Sequence, residues 1–371
     1  MRLPGLEIAP RARESAWTQA RGSLLGLLVG LGLGALLLEL LGASAAEAYA
    51  TILRAAFTGG PWALSDTLTK ATPLMLCGLG CALAFRAGLW NVGAEGQLFL
   101  GAWAAAGVAS FWLPADTPGA LVLPLMALAG FAGGALWGAL PGLLRARLGV
   151  SEILTTLMLT YVAVQWNNLF IYSAWSDRGF QMTPLFPEAA WLPRLSALAD
   201  TWPALAGLTL HAGFPLALLA ALAVWALDHR TRLGFELKVA GVSERAARAA
   251  GMPVGRNMLL AMALSGGLAG LAGMCEVSGV VHRLQQNFSP GYGYAAILVA
   301  WLARLHPAGV VLVSVLLAGL LSGAKQVQPG GVATLLEGVI LTSVVAADFF
   351  GRHMLRRRRA EPARPAPEGP P

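Results

Sequence analysis

The sequence predicts an all-α polytopic membrane protein with nine or ten transmembrane helices, on three observations. Apolar residues make up 56% of the 371 positions and charged residues only 12%, while 45 glycines raise the apolar or neutral share to about two-thirds. Soluble domains carry about a quarter charged residues, so a water-facing surface of this size could not be covered and most of the solvent must be lipid. Apolar runs near the roughly 20 residues that cross a bilayer as a helix recur along the whole chain. Basic residues collect at alternate ends of those runs.

Each element follows in order. Residues 1–21 are a cytoplasmic N-terminal segment with Arg11, Arg13 and Arg21. The run at 22–42 exceeds the roughly 7–15 apolar residues of a secretory leader, so it is read as a retained first span. Further runs lie at 68–86, 97–113, 119–144 and 152–173, then at 213–228, 258–280, 291–304, 307–323 and 332–350. The run at 291–304 is short enough to be re-entrant, which leaves the count at nine or ten. Between spans lie a Trp- and Pro-rich outer loop at 174–212 and a large inner loop at 229–257. The segment 351–371 is a basic, Pro-rich cytoplasmic tail with no means to build a core. Its Arg356–Arg359 run reads as a stop-transfer signal and an anchor to membrane lipid headgroups.

Threading ten spans from a cytoplasmic N-terminus puts 20 of the 26 Lys and Arg residues inside and 6 outside, with both termini inside. The six outer ones are Arg54, Lys70, Arg178, Arg194, Arg283 and Lys325. The net charge of +7 therefore marks membrane orientation. Nucleic-acid binding is not expected, because that needs the charge gathered on one soluble face.

Two glycine ladders, Gly22-Gly26-Gly30-Gly34 and Gly130-Gly134-Gly138-Gly142, repeat every four residues. Small residues at that spacing form one helix stripe that another backbone can approach closely. Cys77, Cys81 and Cys275 all lie in apolar runs and read as ordinary buried thiols.

No catalytic chemistry emerges. The Gly-x-x-x-x-Gly-Lys-Ser/Thr phosphate loop is missing from the sequence. The five histidines are scattered, so no metal site is expected, and there is no Gly-x-Ser-x-Gly elbow. No cofactor is called for.

Two polar stretches stand out. Phe85-Arg-Ala-Gly-Leu-Trp-Asn-Val-Gly-Ala-Glu-Gly-Gln97 sets Trp90, Asn91, Glu95 and Gln97 among three glycines between two spans. It reads either as a polar cytoplasmic turn or as a broken-helix element bordering a solute path, since a carboxylate near hydrocarbon is costly unless paired or wet. Arg232 to Gly251 contains Ser243 as a helix N-cap before Glu244-Arg-Ala-Ala-Arg-Ala-Ala, and Gly251-Met-Pro ends that helix. It either rests on lipid headgroups or docks into a groove on a cytosolic partner. A weak echo links Gln97-Leu-Phe-Leu-Gly-Ala-Trp-Ala-Ala with Ala296-Ile-Leu-Val-Ala-Trp-Leu-Ala, which follows Pro290-Gly-Tyr-Gly-Tyr. The two run in opposite directions, the pattern of an inverted repeat with broken helices.

The motif Ala84-Phe-Arg-Ala-Gly-Leu-Trp-Asn-Val-Gly-Ala-Glu-Gly-Gln resembles the signature of permease subunits of bacterial nucleoside-type ABC importers, within the branched-chain amino acid and simple-sugar permease family. Ser151-Glu-Ile-Leu-Thr-Thr-Leu-Met-Leu-Thr-Tyr, the loop Val239 to Met252 and Gly291-Tyr-Gly-Tyr-Ala-Ala-Ile-Leu-Val-Ala-Trp-Leu-Ala are similar to later blocks of that group, in the same order. The resemblance implies a transmembrane permease domain at 22–350 without an ATPase of its own, in a bacterial inner membrane. Its implied partners are a cytosolic ABC ATPase, a second permease of a different chain and an extracytoplasmic solute-binding protein. It further implies a substrate path near Trp90, Asn91, Glu95, Gln97 and Tyr292, and ATPase coupling through Gly241, Glu244, Arg245, Ala246, Ala247 and Gly251. The implied solute is a nucleoside, with sugars and branched-chain amino acids as the wider family's alternatives. An ion-coupled secondary transporter and a structural membrane protein are the competing readings.

Overall fold

The computed structural model describes residues 6–10, 16–114, 117–327 and 331–357. Arg2, Arg11, Arg13, Arg358, Arg359 and Arg364 of the charge reading lie outside the described residues. The chain divides into two compact units, one made of Met1–Ala45 with Thr334–Pro371 and the other of Ala46–Ala333.

In the first unit α1 (Ala16–Leu40) and α13 (Val332–Arg352, all but its first two residues) are the helices. A Cβ on Gly26 would lie 2.8 Å from the Val344 Cα, and one on Gly30 2.9 Å from the Ile340 Cα, so these two members of the first ladder pack against α13. Gly22 lies outside the residues whose packing is described. The segment expected to lack structure begins instead with a short ribbon. Residues 353–357 (β2) pair antiparallel with 6–10 (β1), Leu6 opposite Arg357 and Pro10 opposite His353. Two extended segments gain there the backbone partners that neither has alone.

Among its described residues the second unit has helices and connecting segments but no strand. It comprises α2 (Ala45–Leu53, but for its first residue), α3 (Pro61–Arg86), α4 (Ala94–Gly107), α5 (Gly119–Leu148), α6 (Glu152–Tyr172), α7 (Gly213–Arg230), α8 (Arg232–Val242), α9 (Glu244–Ala249), α10 (Val254–Glu276), α11 (Tyr292–Leu302) and α12 (Pro307–Ala324). A π-helical turn at Val277–Val281 prolongs α10. Among the described residues, four helices are long and apolar enough to cross a bilayer: α3, α5, α10 with its π-turn, and α12. Pro61 opens α3 at its first turn, where no N–H is needed. Gly149 closes α5 in the left-handed conformation, at φ 66°.

The core is built around α10. A Cβ on Gly134 of α5 would collide with the Gly266 carbonyl, and one on Gly266 with the Gly134 carbonyl. One turn along, a Cβ on Gly270 would collide with the Gly130 carbonyl, and Gly138 and Gly142 face Met262. The second ladder is thus a seam in which two backbones touch, with α4 joining it where Gly101 meets Gly270 and α3 where Gly80 meets Ser265. The contacts also exchange between halves. α10 packs on α5 and α4, while α3 packs on α12 and α11.

The segment 174–212, expected to be an outer loop, folds against the end of α10. Arg194 donates to the carbonyls of Gly279 at 2.8 Å and Val280 at 3.3 Å, and Trp191 stacks on His282 with ring centroids 4.1 Å apart. Trp175 stacks on Phe111 at 4.5 Å and on Trp103 at 5.7 Å. Trp175 is therefore an internal filler and Trp191 is partly covered, whereas Trp202 is exposed. His211 is buried beside Gly213 and Gly279. Burial, then the charges of Arg194 and His282, push its pKa down to about 4.

Gly134→Val forces these backbones apart, so it is expected to abolish stable expression, whereas Gly32→Val, with nothing within 4 Å of its added Cβ, leaves expression unchanged. Fluorescence-detected size exclusion checks both. Because His211 is held neutral when folded, its contribution to stability is complete above pH 6.5 and is lost as pH falls toward about 4. The loss is on the order of 3 kcal/mol, and detergent-phase melting of wild type against His211→Gln should show a steeper acid-side decline in wild type.

Candidate functional site

The polar turn between α3 and α4 begins at Gly88, which has φ +76°, and lies directly against α8. A Cβ on Gly241 would strike the Arg86 carbonyl, so only glycine lets α8 rest on this turn. Asn91 is fully buried and donates through Nδ2 to Gln97 Oε1 and to Ser265 Oγ, both at 2.8 Å. Gln97 Nε2 and the Gly93 N–H donate back to Asn91 Oδ1, each at 3.1 Å. Asn91 and Gln97 thus satisfy one another and brace the helix break against α10.

Glu95 lies in the first turn of α4, and its Oε2 accepts the Gly293 N–H at 2.6 Å. A Cβ on Gly293 would run into the Glu95 backbone. The N-termini of two short helices, α4 and α11, therefore meet, and one carboxylate faces the positive ends of both dipoles. The two echo segments are these two helices. Trp90 is 42% exposed and clusters with Phe85 and Trp301, at centroid distances of 5.3 and 5.4 Å. Tyr292 is buried beside a cavity of about 270 Å³ that it shares with Asp66, Lys70, Glu276, Asn287 and Lys325. The structure thus joins Asn91 with Gln97, and Glu95 with the α11 terminus beside Tyr292.

The segment 229–257, expected to be an inner loop, holds two helices where the sequence suggested one. Thr231 caps α8 by accepting the Gly234 N–H at 3.1 Å, and Ser243 caps α9 by accepting the Ala246 N–H at 3.2 Å. Ala247 is wholly buried in a cluster with Leu83, Ala84, Leu237 and Met258, so its methyl points into this chain. Val242 is 90% exposed, and Gly241, Arg245, Ala246 and Gly251 are exposed with it, while Glu244 is half-buried. Gly251, at φ +73°, turns the chain away after α9.

Polar links tie both helices to span ends. Arg145 of α5 lies 3.7 Å from Glu244 and 3.4 Å from Glu152 at the start of α6. Glu236 accepts from Asn257 of α10 and from Arg232, each at 2.7 Å. Those two donors, Asn257 first, hold the Glu236 carboxyl below its usual range. Asp228 is buried at the end of α7, ion-paired with Arg86 and 3.4 Å from the Lys238 ammonium. Arg86 also donates to the Leu305 carbonyl between α11 and α12.

Asp66, Glu276, Asp228 and Arg145 were not singled out by sequence reasoning. For Glu276 the available signal was a carboxylate inside an apolar run, which by itself points to function.

Helices that meet end to end inside an apolar bundle, with a capped pair of short helices tied to the span ends, define a membrane permease. The chain belongs to the family described as branched-chain amino acid transport system / permease component, which matches residues 63–345. It is 34% identical to the glucose ABC transporter permease protein TsgB13 of Haloferax volcanii, over 94% of this chain and 93% of that one. It is 35% identical to the guanosine ABC transporter permease protein NupP of Bacillus subtilis, over 87% of this chain and 90% of the relative. A second guanosine permease protein of Bacillus subtilis, NupQ, is 24% identical over 77% of this chain and 91% of its own length.

Removing one partner of a buried ion pair costs up to about 3–5 kcal/mol, less here to the extent that Lys238, 3.4 Å away, still offsets Asp228. Arg86→Gln should therefore lower the melting temperature of the purified protein sharply. The double variant Arg86→Gln/Asp228→Asn should recover most of the loss, and thermal-shift assays in detergent check the pair.

Proposed function

We propose that this chain is the non-catalytic permease subunit of an ABC importer that moves a nucleoside or a sugar inward by ATP-driven alternating access. The observation that carries the reading is the α8–α9 hook. Its exposed apolar tip at Val242 and Ala246 is rimmed by Arg245 and Arg248, and its base is fastened to α5, α7 and α10 by Arg145, Asp228 and Asn257. A push on such a tip reaches several spans at once. The tip suits a cytosolic ATPase, which would hydrolyse ATP in this chain's place. The glucose and guanosine in the relatives' names are both hydroxyl-bearing neutral solutes, and nucleosides are favoured. Two guanosine permease proteins in Bacillus subtilis support pairing with a second, different permease chain.

The remaining assignments belong to the same reading. Nine or ten spans cross the cytoplasmic membrane with both termini inside, the basic tail meets lipid headgroups, and a solute-binding protein delivers from outside. The meeting of Arg86 and Lys238 around Asp228, and of Lys70 and Lys325 along one cavity, supports the positive-inside threading. The exchange of contacts between α3–α4–α5 and α10–α11–α12 supports an inverted repeat, with the solute passing where α4 and α11 meet. Opening that junction separates Glu95 from Gly293, and closing it restores the contact. No bond to the solute is made or broken.

ATP-dependent uptake of labelled guanosine or glucose should disappear from cells lacking the gene; leucine uptake should not change. Uptake that survives ATP depletion but collapses with a protonophore would sink the importer reading. Val242→Asp, which puts a charge on the tip but touches no core residue, should leave insertion intact and lower uptake at least tenfold. Ala247→Asp should fail earlier, at folding, because its side chain is internal.

A further inference from the structure

The group that the mechanism above leaves unused is Glu276. It is the last residue of α10 before the π-helical turn, it is 5% exposed, and it lines the cavity of about 270 Å³. Among the described residues its carboxylate has neither a hydrogen bond nor an ion pair within 4.0 Å. Every other buried carboxylate of this unit is held: Glu95 by Gly293, Glu152 by Arg145, Asp228 by Arg86 and Lys238, Glu236 by Asn257 and Arg232. A bare carboxylate in such a place is expensive unless something else donates to it.

The cavity wall says what that donor is. Asp66 and Lys70 neutralise each other at 2.6 Å, and Lys325 offsets the charge of Glu276, so the wall is neutral in sum and suits an uncharged solute. Two carboxylate oxygens side by side accept two O–H donors from adjacent carbons of a sugar ring. Tyr292 and Phe288 add flat apolar surface for the ring face, and π-turns recur at functional sites.

We propose that Glu276 is a specificity-determining residue that accepts the vicinal diol of the solute in this cavity. The proposal deepens the importer reading and rests on it. The test uses the complete transporter, with its ATPase, companion permease and solute-binding protein, in liposomes. Uptake is compared for guanosine against 2′-deoxyguanosine and for glucose against whichever of 2-deoxyglucose and 4-deoxyglucose is carried less well, since 2-deoxyglucose keeps the 3,4-diol. Whichever parent compound is carried, Glu276→Gln should raise its KM at least tenfold and shrink the deoxy-to-parent KM ratio at least threefold. Glu188→Gln, an exposed carboxylate of the outer loop, should change neither. As a second measurement on wild type, carbodiimide labelling of Glu276 should be slowed by the parent compound and not by its deoxy form. Guanosine or glucose import with an unchanged ratio in Glu276→Gln, or with no protection from labelling, overturns this proposal alone. Import of leucine but of neither hydroxylated solute overturns the importer reading for nucleosides and sugars, and this proposal with it.

Discussion

Everything in the larger unit hangs on the contact of backbones along α10. In lipid the hydrophobic effect does not distinguish one apolar helix neighbour from another, so association depends on how closely atoms approach and how many of them do so. Gly134 against Gly266, Gly130 against Gly270 and Gly101 against Gly270 bring three helices to that limit. The helix so clamped carries a polar residue at each level: Asn257 toward α8, Ser265 toward Asn91, and Glu276 at the cavity. These lie along roughly 28 Å of one helix axis at 1.5 Å per residue. A displacement at the hook therefore meets a stiff element that reaches the far end of the bundle.

The two ends of that axis are treated differently. Around Asp228, ionised groups are paired and the carbonyl of Leu305 is taken as well, so span ends are locked together. At the other end Asp66 and Lys70 are paired, but Glu276 and Lys325 face open volume. One end is thus closed by pairs within the chain, while the other keeps a carboxylate beside a cavity.

Much of this was legible in the sequence, for local reasons. Composition and apolar runs give the class, the period-four ladders give the seam, and Ser243 with Gly251 brackets α9. The signature stretch was legible as a place, because glycines and polar residues crowd into it. What it does there was not legible, since Asn91 meets Ser265 and Glu95 meets Gly293 across 174 and 198 residues, and no local pattern encodes such pairings. Ala247 illustrates the same limit. On a short helix of small residues the sequence does not distinguish the inward face from the outward one, and here the inward face holds the residue that composition alone would expose. The helix α8 escaped because its mixed polar and apolar residues have neither a spanning length nor a strong stop.

The seam also divides the residues of α5 into two populations. Val122, Met126, Gly130, Gly134, Gly138 and Gly142 are buried, whereas Leu121, Leu128, Leu136 and Leu140 are exposed on the opposite side. On the outer side one large apolar residue can be exchanged for another, because lipid is an accommodating neighbour. On the seam even a methyl group is too large at Gly134. The rate at which such a helix can drift is therefore set by geometry on one face and by oiliness alone on the other, so two relatives can differ at most of its positions while the helix still sits in the same place.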